Sequence, residues 1–235
     1  MKPIARHKIR KHLEKIRKLK KHEHHPLLHH LHKKYNISRK TLFYVKEYGH
    51  TKVFRTIMRE SLKVLLLCAI LGAVGGLALE NIKSVFVLIV PLVILLPALN
   101  DMIGDYGTIV SARFSTMLHE GLIKGKWWNN HELNTLFKQI FIIAMLVTLL
   151  STAIALVFSR ISNYQLTTAV ALKVLAISVI DVTVLILILF FASILLGLYF
   201  FKKKEDPNNF LIPIVTSIAD FGNMIILSIL VIIFF

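Results

Sequence analysis

Cysteine is almost absent from this chain, because Cys68 is the only one in 235 residues. One cysteine cannot form an intrachain disulfide, which excludes a small disulfide-stapled scaffold. Acidic residues are also scarce, with 13 Asp and Glu against 29 Lys and Arg. No secretory signal is expected, since the first apolar segment starts only near Ser61.

Long apolar blocks make up most of the sequence. Hydrophobic residues account for 55% of the chain, and the mean hydropathy is +0.66. Soluble domains are rarely so apolar, and these blocks are long enough to cross a bilayer. The sequence therefore predicts an all-α, multi-pass protein of the cell membrane.

The apolar blocks divide into five predicted transmembrane helices. In the first, Gly72 and Gly76 form a small-xxx-small pair suited to close helix packing, and a turn is expected after it at Glu80–Lys83. The second contains Pro91 and Pro97, which we expect to bend it and to free backbone carbonyls. The predicted spans are 62–79, 85–105 or beyond, 136–158, a part of 166–201, and 210–235.

Positive charge is concentrated before the first span. Residues 1–60 hold 18 Lys and Arg and 4 Asp and Glu, whereas the other 175 residues hold 11 and 9. The positive-inside rule then places the N-terminus in the cytoplasm and the C-terminus outside. We expect a basic His-rich tail over 1–38, an interfacial helix over 39–60 and a transmembrane domain over 61–235. The tail suits anionic lipid headgroups, and nucleic-acid binding is not expected because no nucleic-acid fold motif accompanies it.

The tail also contains a histidine cluster. Its members are His22, His24, His25, His29, His30 and His32. Histidine is a good ligand for zinc, nickel or copper. A His-rich run fixes no ligand geometry by itself, so we interpret the cluster as a basic tract without a defined metal site.

Four aspartates lie inside the predicted spans: Asp101, Asp105, Asp181 and Asp220. Carboxylates at membrane depth are expensive and usually serve a function. The second span enters from outside, so Asp101 and Asp105 are expected near its cytoplasmic end, on one helix face. Asp220 lies ten residues into the last span, or ~15 Å deep, and Asp181 lies about equally deep.

Each aspartate has a functional and a structural interpretation. Asp220 has no base on its own span, and with Thr216 and Asn223 it offers the oxygen ligands that suit a partly hydrated Mg²⁺. The structural alternative is an ion pair with a nearby base. The pairs to consider are Asp181 with Lys173 and Asp105 with Arg113.

Two motifs lie in the second and fifth predicted spans. The first motif is Pro97-Ala-Leu…Gly104-Asp105…Ser111-Ala-Arg113-Phe-Ser-Thr116. The second is Asp206-Pro-Asn-Asn-Phe210…Pro213…Thr216-Ser217-Ile-Ala-Asp220. Both motifs resemble the signatures of the MgtE-type magnesium transporters and their animal solute-carrier relatives, and the resemblance covers about residues 61–235.

The resemblance implies a homodimer, or a two-fold pair of five-helix units, around a central cation path. It implies that Asp220 is the pore aspartate that holds a hydrated Mg²⁺ and that Pro97–Gly107 supplies backbone carbonyls. Asp105 stands where the family usually has Asn, which adds negative charge and affects metal selectivity. We expect no counterpart of the cytoplasmic sensor domains of the bacterial members in this sequence. The predicted metal-contacting residues are Asp220, Asp105, Asp101, Asn100, Thr216 and Asp181.

These features predict a transporter or channel for Mg²⁺ or a similar divalent cation, and no enzymatic activity. One alternative is a membrane anchor whose basic tail binds lipid or nucleic acid. Another is an intramembrane Mg²⁺-dependent enzyme, because Asn100-Asp101-x-x-x-Asp105 resembles the Asp-rich motif of membrane prenyltransferases. Such enzymes need a second Asp-rich motif and more spans, and the sequence shows neither.

Overall fold

The computed structural model of the chain describes residues 53–123, 127, 130–203 and 207–235. The expectations for the tail, for its histidine cluster and for residues 39–52 lie outside the described residues. Residues 53–60 form the start of the first long helix rather than a separate element. The helices are α1 (Val53–Phe86), α2 (Val90–Glu120), α3 (His131–Ile161), α4 (Thr168–Lys202) and α5 (Pro207–Phe234).

All five helices are long and apolar enough to cross a membrane, which confirms the predicted all-α, five-span fold. α4 has 35 residues, or ~50 Å of helix, and so it is longer than a straight crossing requires. Polar caps begin two of the helices. The side chains of Asn130 and Thr167 accept the backbone N–H groups of Leu133 and Val170 at the starts of α3 and α4.

The connection between α1 and α2 differs from the prediction. The expected turn at Glu80–Lys83 is helical, and the Lys83 ammonium donates to the Glu80 carboxylate at 2.7 Å along the helix surface. The chain turns at residues 87–89 instead. Pro91 consequently falls in the first turn of α2, where the missing N–H has no helical partner to lose. Only Pro97 interrupts α2 from within.

α5 connects α1 to the rest of the bundle. It packs on α1, α2 and α4, and α2 and α4 also pack on each other. α1 packs almost entirely on α5 and barely touches α2. α3 packs against α2 and α4. This arrangement brings the two helices that carry the sequence motifs, α2 and α5, into direct contact.

Glycine allows α1 to approach α5 closely, but not through the predicted pair. A Cβ atom added to Gly72 or Gly76 would meet no atom within 4 Å, so these two residues make no close packing contact within the chain. Gly75 makes the approach instead, since a Cβ there would lie 3.0 Å from Met224 Sδ and 3.3 Å from Phe221 Cα. A small-residue pattern specifies a smooth face, whereas the rotation of the helix decides which glycine meets its neighbour.

α3 presents an apolar face outward, as predicted, and Leu146 is one of its exposed side chains. Buried hydroxyl groups join the helices on the inner side. The Thr152 and Ser178 hydroxyls lie 2.9 Å apart between α3 and α4, and those of Ser111 and Ser193 lie 3.0 Å apart between α2 and α4. Such hydrogen bonds each contribute about 1 kcal/mol or less within a membrane.

Candidate cation site

A cavity of about 450 Å³ lies where α2 meets α5. It brings together five of the six side chains that the sequence predicts to contact a metal, and Asp181 is the one that it leaves out. Two helices supply its walls, so the site depends on their crossing rather than on any single segment. The lining residues are Pro97, Asn100, Asp101, Gly104 and Asp105 from α2, and Thr216 and Asp220 from α5.

The spacing along α2 explains why its residues share this cavity. Pro97, Asp101 and Asp105 follow each other at intervals of four residues, so they lie on one face of the helix. Gly104 lies on the same side and has no side chain. A Cβ there would meet nothing within 4 Å, which leaves the space beside Asp105 open.

The predicted carbonyl-lined wall is not formed. α2 is a continuous helix from Val90 to Glu120, and a continuous helix bonds its own carbonyl groups. Pro97 interrupts this pattern once, because it has no N–H to donate to the carbonyl of Val93. Side chains therefore form most of the polar lining of the cavity, and the expectation of backbone carbonyls over Pro97–Gly107 was wrong.

A chain of amide hydrogen bonds positions Asp220. Asn100 Nδ2 donates to Asp220 Oδ1 at 2.7 Å, and Asn223 Nδ2 donates to Asn100 Oδ1 at 2.9 Å. Oδ2 of Asp220 has no hydrogen bond to the described residues. One carboxylate oxygen is thus fixed by the protein, and the other is available to an ion or to its bound water.

The hydrogen bond from Asn100 also corrects the depth expected for Asp101. Asn100 touches Asp220, so Asp101, the next residue, lies at nearly the same level of the bundle as Asp220 rather than nearer the mouth. Asp105 lies one turn further along α2, at a distance of ~6 Å along the axis. The three carboxylates therefore line a single short stretch of the cavity.

Thr216 contributes an oxygen acceptor to the same wall. Its hydroxyl donates to the carbonyls of Ile212 and Pro213, each at 3.0 Å, one turn earlier in α5. The remaining lone pairs of the hydroxyl oxygen are left to accept a hydrogen bond from water. The carbonyl oxygen of Pro213 also accepts a hydrogen bond from Cys68 Sγ of α1 at 3.3 Å. No sequence pattern predicts this contact.

The cavity is strongly anionic. Asp101 and Asp105 are exposed, Asp220 is half-buried, and none of the three forms an ion pair with a described residue. Among residues 53–123, 127, 130–203 and 207–235, no three His, Cys, Asp or Glu side chains are placed to ligate one metal directly. A volume of about 450 Å³ exceeds the ~180 Å³ that six waters occupy. The site accordingly suits a cation that keeps much of its water.

Asp181 lies elsewhere, in the interior of α4, and is completely buried. The alternative ion pair with Lys173 does not form, because Lys173 donates to the carbonyl of Phe234 and lies over the ring of Phe235. Arg113 is exposed and makes no ion pair with Asp105. The structure therefore excludes both ion pairs and separates Asp181 from the other predicted metal residues.

Asn223 supports the cavity, but it is not among the predicted metal-contacting residues. It is fully buried and holds Asn100 from behind. The signal was its position three residues after Asp220, which places both on one side of α5. Its partner on α2 is separated by 123 residues, so no local pattern indicated the hydrogen bond.

Five membrane-spanning helices, two of which line an anionic cavity large enough for a hydrated ion, define a multi-pass membrane protein suited to cations. A family model described as MgtE, divalent cation transporter, matches residues 96–230. The chain belongs to this family. The match covers both sequence motifs and everything between them, and it favours cation transport over the enzyme and anchor alternatives. Searches of curated proteins and of solved structures found no significant match.

Proposed function

We propose that this protein conducts Mg²⁺, or a divalent cation of similar hydration, along a path that passes Asp220. The observation that carries the proposal is the cavity itself, in which the Asp220 carboxylate is oriented by Asn100 and faces Asp101 and Asp105. Mg²⁺ gives up its water reluctantly and is held through one or two carboxylates and retained waters. The proposed ion contacts are Asp220, Asp105, Asp101, Asn100 and Thr216.

A second copy of the chain completes the path in this proposal. Asp101 and Asp105 are exposed on a membrane-spanning helix, and charged side chains in membrane spans face a protein interior or water rather than lipid. One chain supplies only one side of the path. A two-fold partner placed on the α2 side would cover both carboxylates and enclose the cavity, consistent with the pairing that the family resemblance implies.

Two further proposals concern the metal and the tail. The third carboxylate, Asp105, raises the negative charge of the cavity, which favours divalent over monovalent cations. The tail over residues 1–38 carries the basic and histidine residues that suit an anionic cytoplasmic leaflet. We assign it to lipid contact.

Flux into proteoliposomes tests the proposed function. The purified chain is reconstituted, and uptake of Mg²⁺, Mn²⁺ and Co²⁺ is followed with metal-sensitive dyes against protein-free vesicles. Saturable divalent uptake, absent without protein and not reproduced by Na⁺ or K⁺, is the expected result. A protein that is folded and correctly inserted but carries none of the three divalent cations would overturn the proposal.

Replacing Asp105 with Asn tests the role of the extra charge. We expect roughly threefold lower Mg²⁺ uptake at low ionic strength, because an exposed carboxylate in the cavity raises the local cation concentration. The difference should shrink at ~0.5 M salt, where screening acts over a few ångströms. Glu132→Gln, which removes an exposed carboxylate at the start of α3, is the matched control. A loss that is equal at every salt concentration would argue against electrostatic attraction.

Replacing Asn223 with Ala tests the hydrogen-bond chain behind Asp220. An acceptor that loses its donor costs up to about 1–3 kcal/mol when it is buried, and Asn100 is half-buried, so Asn100 should turn and release Asp220. We expect the half-saturating Mg²⁺ concentration to rise roughly tenfold, since 1.4 kcal/mol corresponds to a factor of ten. Ser228→Ala, on the same helix and bonded only to the carbonyl of Met224, should leave this concentration unchanged. Equal behaviour of the two variants would remove Asn223 from the site.

A further inference from the structure

Asp181 is an acidic group buried in the helical core that the cation path does not use. It has no exposed surface, and neither carboxylate oxygen has a hydrogen-bond partner among the described residues. It lies near the middle of α4, which packs against α2, α3 and α5. The burial comes from protein on every side, so it does not depend on the surrounding lipid.

No described base compensates a charge on Asp181. Lys173, on the same helix, is engaged by the carbonyl of Phe234. The bases of α3, Lys138 and Arg160, are exposed. The titratable residues on the three neighbouring helices are Asp101, Asp105, Tyr106, Arg113, His119 and Glu120 of α2, His131, Glu132, Lys138 and Arg160 of α3, and Asp220 of α5.

A buried carboxylate without a partner is unfavourable, and binding a cation removes the penalty. A metal ion needs several oxygen ligands, whereas Asp181 is not part of any three-ligand group among the residues that the structure describes. A proton needs only the carboxylate itself. The isolation of Asp181 therefore favours a proton over a metal as the bound ion.

Asp181 faces the helix that carries Asp220. Leu185, one turn later on the same face of α4, contacts α5 at Gly222, where an added Cβ would lie 2.6 Å from Leu185 Cδ2. Since α4 and α5 run in opposite directions, Asp181 and Asp220 are offset by ~9 Å along the bundle. A divalent cation at Asp220 therefore acts electrostatically on the Asp181 carboxyl across a low-dielectric interior.

We propose that Asp181 is a proton-binding site linked to occupancy of the cation cavity. In the empty state its carboxyl group holds a proton. When a divalent cation enters beside Asp220, the O–H bond of Asp181 breaks, the electron pair stays on the carboxylate, and the proton passes to water. The linkage is reciprocal, so acid conditions weaken cation binding. The linkage, but not the proton site, rests on the proposed function.

Infrared spectroscopy of the reconstituted protein at neutral pH tests the proton site. We expect a carbonyl stretch of an un-ionised carboxyl group that is absent from Asp181→Asn. Asp181→Glu should shift this band rather than remove it, so the assignment does not depend on one variant. An identical band in wild type and in Asp181→Asn, or no such band in wild type, would overturn the proposal.

Mg²⁺ addition then tests the linkage in the same samples. The Asp181 band should fall as Mg²⁺ binds, and a pH-sensitive dye in weakly buffered solution should report proton release. Asp220→Asn should keep the band but lose its response to Mg²⁺. A band that persists in wild type while Mg²⁺ binds overturns the linkage. Failure of Mg²⁺ to bind at all is a failure of the proposed function, and the band alone then decides the proton site.

Discussion

Replacing Asp220 with Asn is expected to lower divalent cation flux by about tenfold or more, which corresponds to a loss of about 1.4 kcal/mol or more of ion stabilisation. Asn has the size of Asp and can still meet Asn100, so the change removes charge and leaves shape almost intact. The measurement is initial Mg²⁺ uptake into proteoliposomes that contain equal amounts of folded protein.

The size of this effect follows from the electrostatics of the cavity. A divalent cation ~5 Å from a carboxylate gains about 7 kcal/mol at an effective dielectric constant of ~20. The ion loses part of its hydration in exchange, so only a fraction of this attraction remains as net stabilisation. Asp220 is half-buried and its Oδ1 is fixed by Asn100, which makes its charge less screened than that of the exposed Asp101 and Asp105.

Glu80→Gln is the control for this prediction. It also removes one carboxylate from a membrane helix, but Glu80 is exposed and paired with Lys83 near the end of α1. The Mg²⁺ flux of Glu80→Gln should equal that of wild type. If Asp220→Asn transports Mg²⁺ as fast as Glu80→Gln does, the assignment of Asp220 to the ion path is wrong, whatever the other variants show.

Replacing Gly107 with Val is expected to have the largest effect on stability. A Cβ at this position would lie 2.6 Å from Val215 Cγ1 of α5 and 3.3 Å from Leu189 Cδ1 of α4. Both neighbours are completely or almost completely buried, and valine has few alternative rotamers. Overpacking of this kind costs about 1–3 kcal/mol for a few added methyl groups, and here three helices meet at one point. The expected outcome is little folded protein in detergent and a lower melting temperature.

Gly72→Val tests whether the loss comes from the contact rather than from changing a helical glycine. Gly72 has open space around it, and valine costs a helix no more than glycine does. Fluorescence-detected size-exclusion chromatography of the two variants compares their folded fractions directly. Similar losses in both variants would show that the contact of residue 107 with Val215 and Leu189 is not the cause.

Much of the fold and of the site follows from local sequence. Apolar runs of more than eighteen residues predict the helices because a bilayer imposes that length. Aspartates inside such runs are rare and costly, which singled out the residues now found in the cavity. The errors came at positions where local preference is weak. Glu80–Lys83 contains neither glycine nor proline, and so α1 continued through it as helix.

The sequence did not predict how each helix is rotated or which residues of neighbouring helices meet. Gly75 rather than Gly72 and Gly76 meets α5, and a rotation of one residue would have reversed this. Asp181 and Asp220 lie at similar predicted depths in adjacent helices, yet one is sealed in the core and the other opens onto the cavity. Depth follows from counting residues, but the direction of a side chain follows from packing.

The sequence alone determined the class of this protein and its five helices, and it singled out Asp101, Asp105 and Asp220 as candidate functional acids, because hydrophobic length and the cost of buried charge are local quantities. The tertiary structure decided which acids lie together. Only the crossing of α2 and α5 places Asn100 on Asp220 and Asn223 on Asn100, 120 and 123 residues apart. Likewise, only close packing at residues such as Gly107 fixes that crossing, since interatomic contact depends on the relative rotation of whole helices.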